Sequence, residues 1–205
     1  MKLLVFGTGG HAKVVIDAAR AVGLEVVGVV GQARGRSDVM GLPIAETVGG
    51  IDADAFVVAV GDNRTRATLF AEGLAAGLIP ATVIHPSAVI AESANIGLGT
   101  FVAAGVVVNV DARIGQDAIL NTSCTVDHDC LIGDHAHVGP TSGLCGGVHV
   151  GTGALVGVGC SVIPGRHIGE WSVLGAGSAL IDNVPDGGTF AGVPARAIEP
   201  RTEAT

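Results

Sequence analysis

The stretch RIGQDAILNTSCTVDHDCLIGDHAHVG, residues 113–139, carries an aliphatic residue at every sixth position: Ile114, Leu120, Val126, Ile132 and Val138. Four places after each of the first four stands a small residue: Ala118, Cys124, Cys130 and Ala136. Extended in both directions, the register runs unbroken from Ile84 to Leu180, and all seventeen of its positions are Ile, Leu or Val. A period of six fits neither the face of a helix nor the two-residue alternation of a single strand. It marks a β-solenoid in which each unit is one short strand plus a turn, and three units close one triangular coil. The aliphatic side chain fills the interior and the small one the crowded corner. Arg166 breaks the second rule, standing where a small residue is expected.

Upstream of Ile84 the pattern differs. KLLVFG is a continuous apolar run ending in glycine, as buried parallel strands are, and HAKVVIDAARAVG follows with helical spacing. EVVGVV and AFVVAVG are further strands, and NRTRATLFAEGLAAG is a second amphipathic helix. The expected division is a small Rossmann-like α/β domain over residues 1–82, with helices packed on a parallel sheet, then the solenoid over residues 83–205 with a C-terminal tail.

The bulk composition agrees with a repetitive interior. The chain has 205 residues, 48% hydrophobic but only 3% aromatic, with 33 glycines and no tyrosine. A net charge of −8 argues against a nucleic-acid partner, which demands clustered Lys and Arg. The apolar run at the N-terminus is too short for a signal peptide or a membrane span, so no membrane is expected and a cytoplasmic location is. Cys124, Cys130 and Cys160 share the corner register, which explains them as small buried residues rather than disulfide partners.

Within residues 125–139 the polar residues are three histidines and three aspartates. A proton-transfer site needs a base, and imidazole titrates near neutrality. His128 lies two places after Val126, outside the interior register, and is followed by Asp129, a carboxylate able to fix its tautomer. On spacing alone the pair reads equally as a surface histidine with an acidic neighbour. His135, His149 and His167 are expected at solvated turns without a role. No histidine–carboxylate set has zinc-ligand spacing, so no metal is expected. CGG at 145–147 offers backbone N–H groups to an oxyanion, and reads equally as a turn. In GTGGHA, residues 7–12, glycines would let a phosphate approach a helix N-terminus. The ribose-binding acid of a dinucleotide site is missing, because the second strand runs out in Gly31 and Gln32.

VFGTGGHAKVVIDAA, VAVGDN, NTSCTVDHDCLIGDHAHVGP and FAGVPAR together resemble the hexapeptide-repeat sugar acetyltransferases, in particular the sialic acid O-acetyltransferase and nucleotide-aminosugar N-acetyltransferase subgroup. The resemblance implies a left-handed parallel β-helix, a homotrimer with its site between subunits, acetyl-CoA as co-substrate, and a nucleotide-sugar acceptor held by the N-terminal domain. It implies His128 as general base, Asp129 as its supporting acid in place of the glutamate of many relatives, and the Gly146 amide as oxyanion donor. It puts His137, Val158, Ala176 and Arg196 at acetyl-CoA. Gly9, Gly10, His11, Gly31, Gln32, Gly61 and Asn121 fall to the acceptor. The expected reaction is N-acetylation of a nucleotide-linked amino sugar such as a 4-amino-4,6-dideoxy sugar, by direct transfer. O-acetylation of a sugar such as sialic acid, a non-catalytic trimeric scaffold and a metal-dependent hydratase are the alternatives.

Overall fold

The computed structural model describes residues 1–198; residues 199–205 of the C-terminal tail lie outside the described residues. The first part is an α/β layer built on one six-stranded sheet. Its elements are β1 (Lys2–Phe6), α1 (Gly10–Ala21), β2 (Glu25–Val30), β3 (Asp38–Val39), β4 (Leu42–Ala45), β5 (Ala55–Val58), α2 (Asn63–Ala75) and β6 (Ile79–Pro80). The sheet order is β3-β4-β2-β1-β5-β6, parallel throughout except for the β3–β4 pair. Leu3, Leu4, Val5 and Phe6 of the central strand are all buried, which is why that run reads as continuously apolar.

From Val83 the chain winds as a parallel β-helix of seventeen two-residue strands, and the second residue of each strand is the register aliphatic. Three walls result. The first pairs Val83, Phe101, Ile119, His137, Leu155 and Val173 in order, and the hairpin Thr189–Ala197 extends it. The second runs through Val89, Val107, Thr125, Gly143, Ser161 and Ala179. The third runs through Asn95, Arg113, Leu131, His149 and His167. His149 and His167 are therefore outward-facing strand residues of the third wall, not turn residues as their spacing suggested.

From Val102 onward every register aliphatic is buried, each burial stabilising the coil by roughly 1.5–3 kcal/mol. Ile84, Ile90 and Ile96 are only partly buried, because no coil lies beneath the first. The corner residues contribute more than small size. Thr100, Cys130, Ser142 and Cys160 each donate a side-chain hydrogen bond to the carbonyl fifteen residues ahead, on the next coil. Polar atoms that burial would otherwise orphan are satisfied in this way. At Arg166 the side chain leaves the corner outward and its Nε donates to the Pro164 carbonyl at 3.3 Å, so the coil does not open.

A second repeat appears in the backbone. Three residues past each register aliphatic, φ is positive at every turn from Gly99 to Gly177. Glycine takes this left-handed position at many turns, but Asp111, Asp117, Ser123, Asp129, His135, Thr141 and Trp171 also adopt it. Stacked at 18-residue intervals, these positions form a column along each corner. The column at the third–first corner, through Gly99, Asp117, His135, Gly153 and Trp171, is where the N-terminal part docks. Phe70 fills the space beside Gly99, and the Arg64 guanidinium lies 4.5 Å over the Trp171 ring. Asn63 Nδ2 donates to the Gly153 and Ala154 carbonyls at 3.0 and 3.1 Å.

Candidate active site

His128 and Asp129 occupy the turn between the second and third walls. Asp129 sits at the left-handed position with φ 58°, a conformation aspartate tolerates better than most residues, and its carboxylate turns back to the preceding ring. Its Oδ2 accepts from His128 Nδ1 at 2.8 Å, so the shorter aspartate does reach. That bond puts the proton on Nδ1 and leaves the Nε2 lone pair free. The hydrogen bond to Asp129 and then the charge of Asp127 raise the His128 pKa above its ordinary value of 6.5. Asp127 Oδ1 also accepts from the His128 N–H at 2.8 Å and from Asn109 Nδ2 at 2.8 Å, which anchors the base of the turn.

Gly146 stacks one coil above His128. A Cβ added there would lie 2.5 Å from His128 Nε2 and Cε1, so the imidazole sits against a residue that has no room for a side chain. Gly146, Val158 and Ala176 share the turn position two past the register aliphatic. Among the described residues none of their N–H groups finds an acceptor within the chain. Outward donors of this kind fit the carbonyls and the developing oxyanion of an acyl thioester. Gly146 is beside His128, but Val158 and Ala176, both exposed, lie along the first–second corner on the far side of the second wall. Arg196, on the terminal hairpin, is paired with a carboxylate. Its Nη1 lies 3.4 Å from Asp182 Oδ2, with both groups largely exposed.

The other predicted residues gather elsewhere. Gly9, Gly10, His11, Gly31, Gln32 and Gly61 line one cavity of about 580 Å³. Gly7 lets the chain pass close to β5: with φ 126°, an added Cβ would meet the Ala59 carbonyl at 2.7 Å. The His11 ring lies edge-on to Phe101, and its buried Nε2 has no partner. Burial, and then the charge of Arg66, push its pKa down to about 4. His137 and Asn121 stand on the first wall facing the Gly61 loop. Gly61 carbonyl can only accept, so His137 Nδ1 donates to it at 3.3 Å, and His137 Nε2 accepts from Asn121 Nδ2 at 3.1 Å. Burial first and Arg66 second lower the His137 pKa to about 4, so the ring is neutral.

Sequence reasoning missed several residues. Arg34 and Glu46 line the cavity beside Gln32. Glu46 follows β4, whose Ala45 carbonyl accepts from the Gly31 N–H at 2.9 Å, so the acid absent from the end of β2 is offered by the adjoining strand. His135 is not a solvated turn residue: its Nδ1 meets Asp117 Oδ2 at 2.7 Å, with the aspartate only 1% exposed. Its neighbour Arg66 is fully buried, and the pattern of the second helix does not mark it out. Nothing local in the sequence could have revealed a partner 51 or 69 residues away.

No helix among the described residues is long and apolar enough to cross a membrane, and no group of three or more metal-ligating side chains occurs among them. The PglD N-terminal domain family matches residues 2–72. A search of curated proteins finds no match. PerB from Caulobacter crescentus, solved in complex with CoA and GDP-perosamine, is 40% identical with a TM-score of 0.91, over 97% of this chain and 98% of that one. A perosamine N-acetyltransferase mutant from the same organism matches with a TM-score of 0.93, also at 40% identity, over 98% of both chains. The acetyltransferase domain of PglB from Neisseria gonorrhoeae, in complex with acetyl coenzyme A, is 34% identical with a TM-score of 0.90, over 96% of this chain and 98% of that one. These likenesses extend over the α/β part, the β-helix and the terminal hairpin alike, and the chain belongs to the hexapeptide-repeat sugar acetyltransferases that carry a PglD N-terminal domain.

Proposed function

We propose that the protein transfers the acetyl group of acetyl-CoA directly to the amine of a nucleotide-linked amino sugar. The observation that carries this reading is the His128 ring, held by Asp129 on one nitrogen, seated against Gly146, and open at the other. His128 Nε2 takes the proton that the acceptor amine sheds as its lone pair attacks the thioester carbonyl. The Gly146 N–H faces the oxygen that gains charge, and collapse of the tetrahedral species expels the CoA thiol, which regains a proton from His128. No nucleophilic side chain is needed for this route.

The α/β part, residues 1–82, takes the nucleotide sugar in the cavity lined by Gly9, Gly10, His11 and Gly61. Its diphosphate suits the uncapped N-terminus of α1 and the Arg34 cation. A GDP-linked amino sugar is the first acceptor to test, since PerB is solved with GDP-perosamine. Residues 83–205 carry the transfer chemistry, with Val158, Ala176, His137 and Arg196 at acetyl-CoA.

A homotrimer with its site between subunits fits the geometry of one chain. The acceptor cavity adjoins the first wall, where His11 lies against Phe101 and Gly61 against His137, whereas His128 stands on the far edge of the second. The second wall itself exposes Val89, Ile163 and Ile181, an apolar face suited to a shared axis. A chain placed around that axis would bring its second–third edge to its neighbour's first–second edge. Both proposed substrates are cytoplasmic metabolites, which supports a cytoplasmic location.

Thiol release from acetyl-CoA, measured with GDP-, UDP- and dTDP-linked 4-amino sugars and with free sialic acid, tests the reading. Turnover with a nucleotide amino sugar is expected; release only with the hydroxyl acceptor, or with none, would overturn it. Co-expressing a His128→Ala chain with a His11→Ala chain should restore part of the activity that each lacks alone. A monomer by light scattering would remove the shared site.

A further inference from the structure

Direct transfer requires that the acceptor cavity and the solenoid wall keep one spacing, yet they belong to parts of the chain with separate sheets. Among the contacts that join them, the one with most hydrogen bonds is Arg66, from the second turn of α2, with no exposed surface. All five of its N–H donors find acceptors. Nε donates to the Asp117 carbonyl at 2.9 Å, and Nη2 to the carbonyls of His135 and of Ala136, the latter at 3.3 Å. Nη1 donates to the Val60 carbonyl at 3.2 Å and to Asn63 Oδ1 at 2.8 Å. Three acceptors thus belong to the third–first corner and two to the N-terminal part. Val60 lines the acceptor cavity, and the next residue, Gly61, meets His137 on the first wall.

A buried cation is a poor way to gain stability, because a packed apolar side chain often does as well or better. What an apolar side chain lacks is five directional bonds in one plane. We propose that Arg66 is a positioning residue that sets where the acceptor lies relative to the transfer wall, while touching neither substrate. The inference rests on the cavity being the nucleotide-sugar site. Acetyl-CoA, by contrast, is expected chiefly at Val158, Ala176 and Arg196, none of which Arg66 touches, and His137 is the one position that stands near both substrates. Loss of the fork should therefore act on one substrate and spare the other.

The test compares wild type with Arg66→Lys, which keeps the charge and loses the fork, in steady-state kinetics and in 15N spectra of the histidine rings. KM for the nucleotide amino sugar should rise about tenfold, the worth of one hydrogen bond to a charged group, while KM for acetyl-CoA stays within about twofold. The His137 ring, a single Nδ1–H tautomer in wild type through its bond to Gly61, should become a mixture of tautomers. Equal change in both KM values, no change in either, or an unaltered His137 signal would overturn the proposal. If Arg66→Lys does not fold, Asn63→Ala decides, because it removes one arm of the fork and the anchor to Gly153. A rise of about threefold in acceptor KM alone is then expected, and an unchanged KM overturns the proposal. If wild type turns over no nucleotide amino sugar, the functional reading has failed separately, and the His137 spectra still decide whether Arg66 sets this contact.

Discussion

Two histidine–aspartate pairs stand seven residues apart on the same solenoid, with nearly the same Nδ1–Oδ2 distance, 2.8 Å for His128–Asp129 and 2.7 Å for His135–Asp117. Their side chains differ in exposure, 56% and 67% in the first pair against 15% and 1% in the second. The first has an open Nε2 over a bare glycine. The second lies beneath α2, edge-on to Phe70, with its aspartate beside Arg66 at 3.4 Å. A carboxylate on an imidazole therefore defines no role by itself. Access to the second nitrogen, and what faces the carboxylate, suit one pair to the proposed role of base and make the other part of a dock.

The comparison is open to attack in order of expected effect. His128→Ala should lower kcat about 10²- to 10⁴-fold with acetyl-CoA binding retained, whereas His135→Ala should act on the melting temperature first; similar kinetic losses in both would erase the distinction. Asp117→Ala leaves the Arg66 cation buried without its counter-ion and should cost about 3–5 kcal/mol in denaturant unfolding. Asp129→Ala, in the exposed pair, should cost no more than about 1 kcal/mol. Gly146→Ala should push the His128 ring from its seat and cut kcat about a hundredfold, with little change in melting temperature.

Asp129→Asn removes the largest cause of the raised His128 pKa. The base works when neutral, so the acid limb of the rate profile should move to lower pH in that variant, with a reduced plateau. An unmoved limb would mean that another group titrates. A pH effect of a different kind belongs to His11 and His137, both held near a pKa of about 4 against an ordinary 6.5. Over that window the unfolded chain binds protons that the folded chain refuses, so stability should fall as pH drops from about 6.5 to about 4. Replacing both rings by asparagine should flatten the slope.

The solenoid was legible because its constraint is one-dimensional. Every coil repeats the same contacts, so seventeen aliphatics in one register leave a single reading. The roles given to His128, Asp129 and Gly146 rest on the family resemblance, because the register puts them outside the coil and says no more; their closeness follows from the coil, where a residue and the one 18 ahead are neighbours in space. The dock was not legible. Arg66 meets residues 51 and 69 places away, and no period links a helix to a corner column. The same gap hid Glu46, which takes its place from strand pairing with β2. Mistaking His135 for a solvated turn residue has this origin too: the register marks it as outside the coil, but outside the coil is not outside the protein.

The division of labour within each six-residue unit bears on how such a protein changes over generations. The aliphatic and the corner residue hold the coil, while the two turn positions between them supply the proposed base and its carboxylate, the free amides and the docking column. Two positions in six can be rewritten with the interior left intact. Selection for a new acceptor or a new acyl donor can then act on the turns almost independently of selection for folding.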